Sequence, residues 1–167
     1  MRWWLLGLVL AVVACSSGSH RDDVATNVQK PEPLPTAQAR GPKVALDSPD
    51  GERIVDVEVV SSPAKLQRGL MYREHLAPEA GMLFLMGSES DWAFYMRNTL
   101  IPLDMIFITK DLRVAGIVAN AEPRTETLRR VGRPSMYVLE VNGGWAQAHH
   151  VMAGAKVRFE GVTGGDQ

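Results

Sequence analysis

The chain has 167 residues, a formal net charge of −1 and 46% hydrophobic residues, which suits one domain of ordinary size and leaves no room for several. A single cysteine excludes a disulfide framework. From Val44 onward thirteen Lys and Arg stand against sixteen Asp and Glu, so no basic face for nucleic acid is expected.

The first fifteen residues, MRWWLLGLVLAVVAC, place one Arg before an apolar run that ends in small residues. This is a signal-peptide pattern, too short for a transmembrane helix, and it is set aside from the fold. Its ending, Val12 to Cys15, resembles a bacterial lipobox. That resemblance implies diacylglycerol on the Cys15 sulfur and an acylated new N-terminus; the alternative is an ordinary signal with an incidental thiol. Several acyl chains hold a protein durably on a bilayer where one does not. The lipid bilayer is therefore the expected partner through acylated Cys15, and the cell envelope the expected location. Ser16 is not Asp, so in a Gram-negative host the sorting pattern this resembles favours the outer membrane, facing the periplasm. Residues 16–43, rich in proline and mixed charge without an apolar period, read as a disordered tether. Its typical reach is roughly 30 Å.

Residues 44–163 form the expected single globular domain, with 164–167 as a tail. The stretch around Pro49 to Gly51 reads as a hairpin turn, and IVDVEVV from Ile54 alternates valines inward with Asp56 and Glu58 outward. Ser62 followed by Pro63 is a helix start, with the Ser hydroxyl as cap, and the helix stops at Gly69. An irregular connection leads to the strand from Gly81, where Met82, Phe84 and Met86 share one face. Trp92, Phe94 and Met96 share one face of a further predicted strand. Pro102 then forces a turn that holds Asn98 and Asp104 close in sequence. Met105 and Phe107 continue the apolar face. On the other face, alternation from Asp104 through Ile106 to Ile108 places a carboxylate among aliphatic side chains. It must be paired, hydrogen-bonded or neutral.

TKDLR turns the chain and VAGIVAN returns as a hairpin strand. Arg124, Arg129, Arg130 and Arg133 fall in a Gly- and Pro-punctuated loop, read as solvated or as an anion site. In MYVLEV from Met136, Tyr137, Leu139 and Val141 lie on one side and Glu140 on the other. A short helix anchored by Trp145 and an edge strand AKVRFEG complete the domain. The elements predict an α+β domain: a compact, mainly antiparallel curved sheet with two short helices.

GLM at Gly69 to Met71, GMLF at Gly81 to Phe84, FYMRNT at Phe94 to Thr99, IPLD at Ile101 to Asp104 and YVLEVNGG at Tyr137 to Gly144 together resemble the bacterial and archaeal domain of unknown function 192. The resemblance covers almost all of Ile54 to Glu160 and implies a compact, partly closed β-barrel-like domain. It implies no reaction. The family pattern usually has Gly and Asp before the last strand, where this chain has Gly154 and Ala155, and often a Gly where Leu112 stands.

Asp104, Asn98 and Glu140, with Arg68 or Arg97 as electrophile, could form the acid/base set of a cofactor-free hydrolase or lyase. In the opposing reading Asp104 bonds the backbone of its own turn and Glu140 pairs with an arginine. No nucleophile motif, phosphate loop or metal-ligand spacing is present, so neither a cofactor nor a metal is expected. The adjacent His149 and His150 point about 100° apart on a helix and read as surface residues. Seven methionines from Met71 to Met152 suit either soft Cu(I) ligation or adaptable core packing, and their strand spacing fits the core. The functional expectation is a membrane-tethered envelope accessory or binding domain. Its cavity, lined by Met82, Phe84, Phe94, Met96, Asn98 and Asp104, would take a small apolar ligand or the side chain of an envelope protein.

Overall fold

The computed structural model describes residues 41–164. Seven strands and two short helices follow in the order β1 (Lys43–Leu46), β2 (Arg53–Val60), α1 (Pro63–Arg68), β3 (Ala80–Ser90), β4 (Leu103–Ile108), β5 (Val114–Ala121), β6 (Ser135–Asn142), α2 (Trp145–Ala148) and β7 (Val157–Glu160). They build one sheet in the order β5-β4-β6-β3-β2-β1-β7. Its pairings are antiparallel except for β2 with β3, which run parallel. A parallel pair cannot be joined by a tight turn, and α1 supplies the crossover. The start of β5 also bonds the start of β7, through Val114 N–H to Ala155 O at 3.0 Å and Val157 N–H to Leu112 O at 2.9 Å. The sheet thereby curls into a half-barrel, and its short helices make the fold mostly β.

Strand alternation divides the apolar residues between two faces. Val44, Leu46, Val55, Val57, Leu83, Ile106, Ile108, Val114, Leu139, Val141 and Val157 come from all seven strands and fill the inside. Trp145, Ala146 and Val151 pack onto the same cluster from α2 and the turn after it. The outer face carries Val60, Met82, Phe84, Leu103, Met105, Phe107 and Val138, covered by Leu70 and Met96 from the connections. At about 25 cal/mol per Å² of apolar surface, each such fully buried side chain contributes roughly 1.5 to 3 kcal/mol.

Two expectations need correction. Trp92, Phe94 and Met96 do face one side and pack on the outer cluster, but they form no strand beyond an isolated bridge of Phe94 with Arg129. Both edges of β3 are already taken, by β2 and β6, so this segment crosses over the sheet instead of joining it. The segment that takes its place in the count of seven is β1. At α1, Ser62 stands at the cap with Pro63 following, yet its hydroxyl makes no capping hydrogen bond.

Candidate functional site

Asp104 is completely buried on the inner face and is bound by three backbone amides. Oδ1 accepts from Asn120 N–H at 2.6 Å and from Gly144 N–H at 2.9 Å, and Oδ2 accepts from Ala146 N–H at 2.7 Å. These donors belong to the end of β5 and the start of α2. They are not the donors of its own turn, 98–103, which the sequence suggested. A carboxyl that accepts from three amides is a strong local tie, and it fixes α2 against the sheet.

Glu140 faces the other way. Its Cα partners are Met105 on β4 and Met82 on β3, so its side chain lies on the outer face, between two thioethers. It is 5% exposed, and among the described residues no hydrogen bond or ion pair reaches it. The arginine partner expected for it is absent. Burial alone pushes its carboxyl up to about 8 from the ordinary 4.5, because no charge lies near enough to favour the ionised form.

Above Glu140 is a cleft of about 240 Å³. Its walls are α1 and the following turn (Leu66, Gly69, Leu70, Met71), β3 (Phe84, Met86) and the crossing segment (Trp92, Ala93, Phe94, Tyr95), with Thr99, Gln67 and Arg68 completing the lining. Phe94 is the keystone, meeting Phe84 edge to face at 5.3 Å between centroids and Phe107 at 5.9 Å. The crossing segment is strapped down by residues 124–129. Phe94 and Arg129 exchange both backbone hydrogen bonds, Met96 N–H donates to Thr125 O at 2.9 Å, and Arg124 N–H donates to Thr99 O at 3.1 Å. On the opposite wall, Gly69 has φ 45°, and a Cβ there would lie 3.1 Å from Phe84 Cζ and 3.8 Å from Glu140 Oε2. The chain thus narrows to bare backbone where it passes the carboxyl.

Of the six residues expected to line a binding cavity, Phe84 and Phe94 do so. Met82 and Met96 are buried beneath it as core, and Asn98 lines a depression of about 270 Å³ next to it, with Arg97 and Tyr95. Asp104 is on the other side of the sheet. Asp104 and Glu140 therefore share no site, because their positions in the β4–β6 register alternate. The contributions of Leu66, Met71, Met86 and Tyr95 escaped sequence reasoning; the two-turn helix is too short to show a face. The methionines divide between core (Met82, Met96, Met105), cleft (Met71, Met86), the half-buried Met136 on β6 and the surface, where Met152 is exposed. His149 contacts Glu79 at 3.3 Å and His150 contacts Asp50 at 2.5 Å, and no group of three metal-ligating His, Cys, Asp or Glu residues occurs among the described residues.

Residues 45–159 match the family described as DUF192, Uncharacterized ACR. The chain belongs to this family. Two solved structures carry the same fold. One, a protein of unknown function from Novosphingobium aromaticivorans DSM 12444, is 40% identical with a TM-score of 0.68, over 70% of this chain and 83% of that one. The other, from Sinorhizobium meliloti 1021 and described as a "putative transcription regulator", is 33% identical with a TM-score of 0.69, over 76% of this chain and all of that one. No curated protein matches. Where the DUF192 pattern often has Gly, Leu112 takes φ 54°, a left-handed turn conformation that a glycine would adopt at no cost.

Proposed function

We propose that this DUF192 protein is a membrane-tethered binding domain of the cell envelope, and that the cleft between α1, β3 and the Trp92–Tyr95 segment takes a small, mainly apolar ligand. The observation that carries this reading is the cleft itself: a concave, open-mouthed site with aromatic and thioether side chains in its walls, Gln67, Arg68 and Thr99 as its polar lining and the Glu140 carboxyl on its floor. Ligand sites have this composition, a large apolar lining with a few placed polar atoms. Its walls come from rigid elements and from a segment pinned by paired backbone hydrogen bonds, so the site is formed before a ligand arrives. The tether rests on Cys15, which lies outside the described residues. The excess of acidic over basic residues in the domain gives no support to a nucleic-acid partner.

The test is mass spectrometry of organic extracts from full-length wild type and from Ala93→Trp, which fills the cleft from its lining. A small molecule enriched in the wild type and lost from the variant is the expected result. Extracts of identical composition from the two proteins would remove the cleft from consideration as a binding site.

A further inference from the structure

Resting on the binding reading above, we infer that the cleft receives an organic ammonium: a singly charged amine, its head seated against the Glu140 carboxylate and enclosed by the rings of Phe84, Trp92 and Phe94. The argument begins with what Glu140 costs. A carboxyl between Met82 and Met105, without a hydrogen bond or counter-ion among the described residues, is an expensive way to offer a neutral contact. A Gln or Thr would serve a ligand's hydroxyl or carbonyl at lower cost. The one ligand that gains specifically from a carboxyl here is a cation, which supplies the charge partner that the protein lacks. Aromatic faces favour the same ligand, since ring quadrupoles attract an ammonium and most of all a methylated one, whose methyl groups also suit apolar walls.

The charged groups around the site limit the ligand's other end. Arg68 on α1 and Tyr95 on the crossing segment are the other titratable residues of the lining; Arg68 is exposed and Tyr95 half-buried. From β3 and β4 only methionines flank Glu140. Glu58, two strands away on β2, is exposed and tied to Arg73 at 2.5 Å. A ligand whose ammonium is at the floor therefore has a neutral or anionic end toward Arg68.

Calorimetric titration of the full-length protein with choline and with its neutral isostere 3,3-dimethyl-1-butanol tests this. Choline carries no ionisable proton on its head group, so any dependence of its binding on pH between 6 and 9 belongs to the protein. Choline is expected to bind at least tenfold tighter than the isostere at pH 8.5. At pH 7 binding should release about one proton, seen as a heat that varies with the ionisation enthalpy of the buffer. Glu140→Gln, checked for a normal melting transition, should lose both the preference and the proton release. Equal affinity for the two probes, or a preference that survives Glu140→Gln, overturns the ammonium inference and leaves the cleft as a site for neutral ligands. Failure of both probes to bind wild type at pH 8.5 overturns the ammonium inference and leaves the binding reading to the comparison of extracts above.

Discussion

Asp104 and Glu140 lie on neighbouring strands, one register position apart, and point to opposite sides of the same sheet. Each is a buried carboxyl, yet one is bound by three amides and the other, among the described residues, by no hydrogen bond or ion pair. The difference gives Asp104 a structural role and makes Glu140 the candidate for the proposed site. Asp104 joins β4 to β5 and α2 on the inner face, whereas Glu140 is the unspent polar group beneath a cleft.

Replacing Asp104 should therefore cost stability. In Asp104→Ala the amides of Asn120, Gly144 and Ala146 lose their acceptor inside an apolar cluster, at about 1 to 3 kcal/mol or more. Asp104→Asn should recover only part of that, since its amide nitrogen points a donor at donors on one of the two sides. Urea denaturation of the three proteins at neutral pH measures this. Equal midpoints would mean that the three amides find other acceptors.

The sequence made the alternating strands plain because residues of period two report burial directly, and β2, β3, β4, β5 and β6 all stand where that period put them. What it could not show is pairing. Trp92, Phe94 and Met96 alternate like a strand, but whether a free sheet edge awaits them is a property of the whole topology. The partners of Asp104 were hidden for a related reason. Backbone amides of Asn120, Gly144 and Ala146 carry no residue signature, so the rule that a buried carboxylate must be satisfied named the need without naming the donors. For Glu140 the same rule suggested an arginine that is not there, and that departure is the strongest pointer to the site.

Gly69 ends α1 at φ 45° beside Phe84 and Glu140. Gly69→Val combines a disfavoured backbone with a side chain driven into the cleft wall, and should destabilise by roughly 1 to 2 kcal/mol or more. Because Gly69 also lines the cleft, ligand binding should weaken in any Gly69 variant that still folds. Coincident denaturation midpoints for Gly69→Val and wild type would show that the turn relaxes at no cost.

If Cys15 is the lipid anchor, Cys15→Ser should leave the precursor without lipid and the domain extractable without detergent. Metabolic labelling with a radioactive fatty acid followed by membrane fractionation measures both effects. Wild-type protein that takes up no label and fractionates as soluble would sink the tether.

The last prediction concerns pH. Glu140 carries its proton in the folded protein up to about 8, whereas in the unfolded chain the carboxyl ionises near its ordinary 4.5. Between those values the folded state holds a proton that the unfolded state has released. Stability must then fall as pH rises, by up to ~1.4 kcal/mol per pH unit, and level off above pH 8 once both states are ionised. Below pH 4.5 this group contributes its full stabilisation, because both states are protonated. The acid side is governed by other carboxylates. Asp50 is held below its ordinary range by its hydrogen bond to His150, and Glu126 by Arg97, so their contributions are lost as pH falls through that lowered range. Denaturation midpoints measured from pH 4 to 9 should thus show a maximum in mildly acid solution and a decline toward pH 8. In Glu140→Gln the decline should vanish, leaving the variant more stable than wild type at pH 8. A wild-type profile that stays level between pH 5 and 8 would mean that water or a neighbouring charge reaches the carboxyl and holds it near its ordinary range.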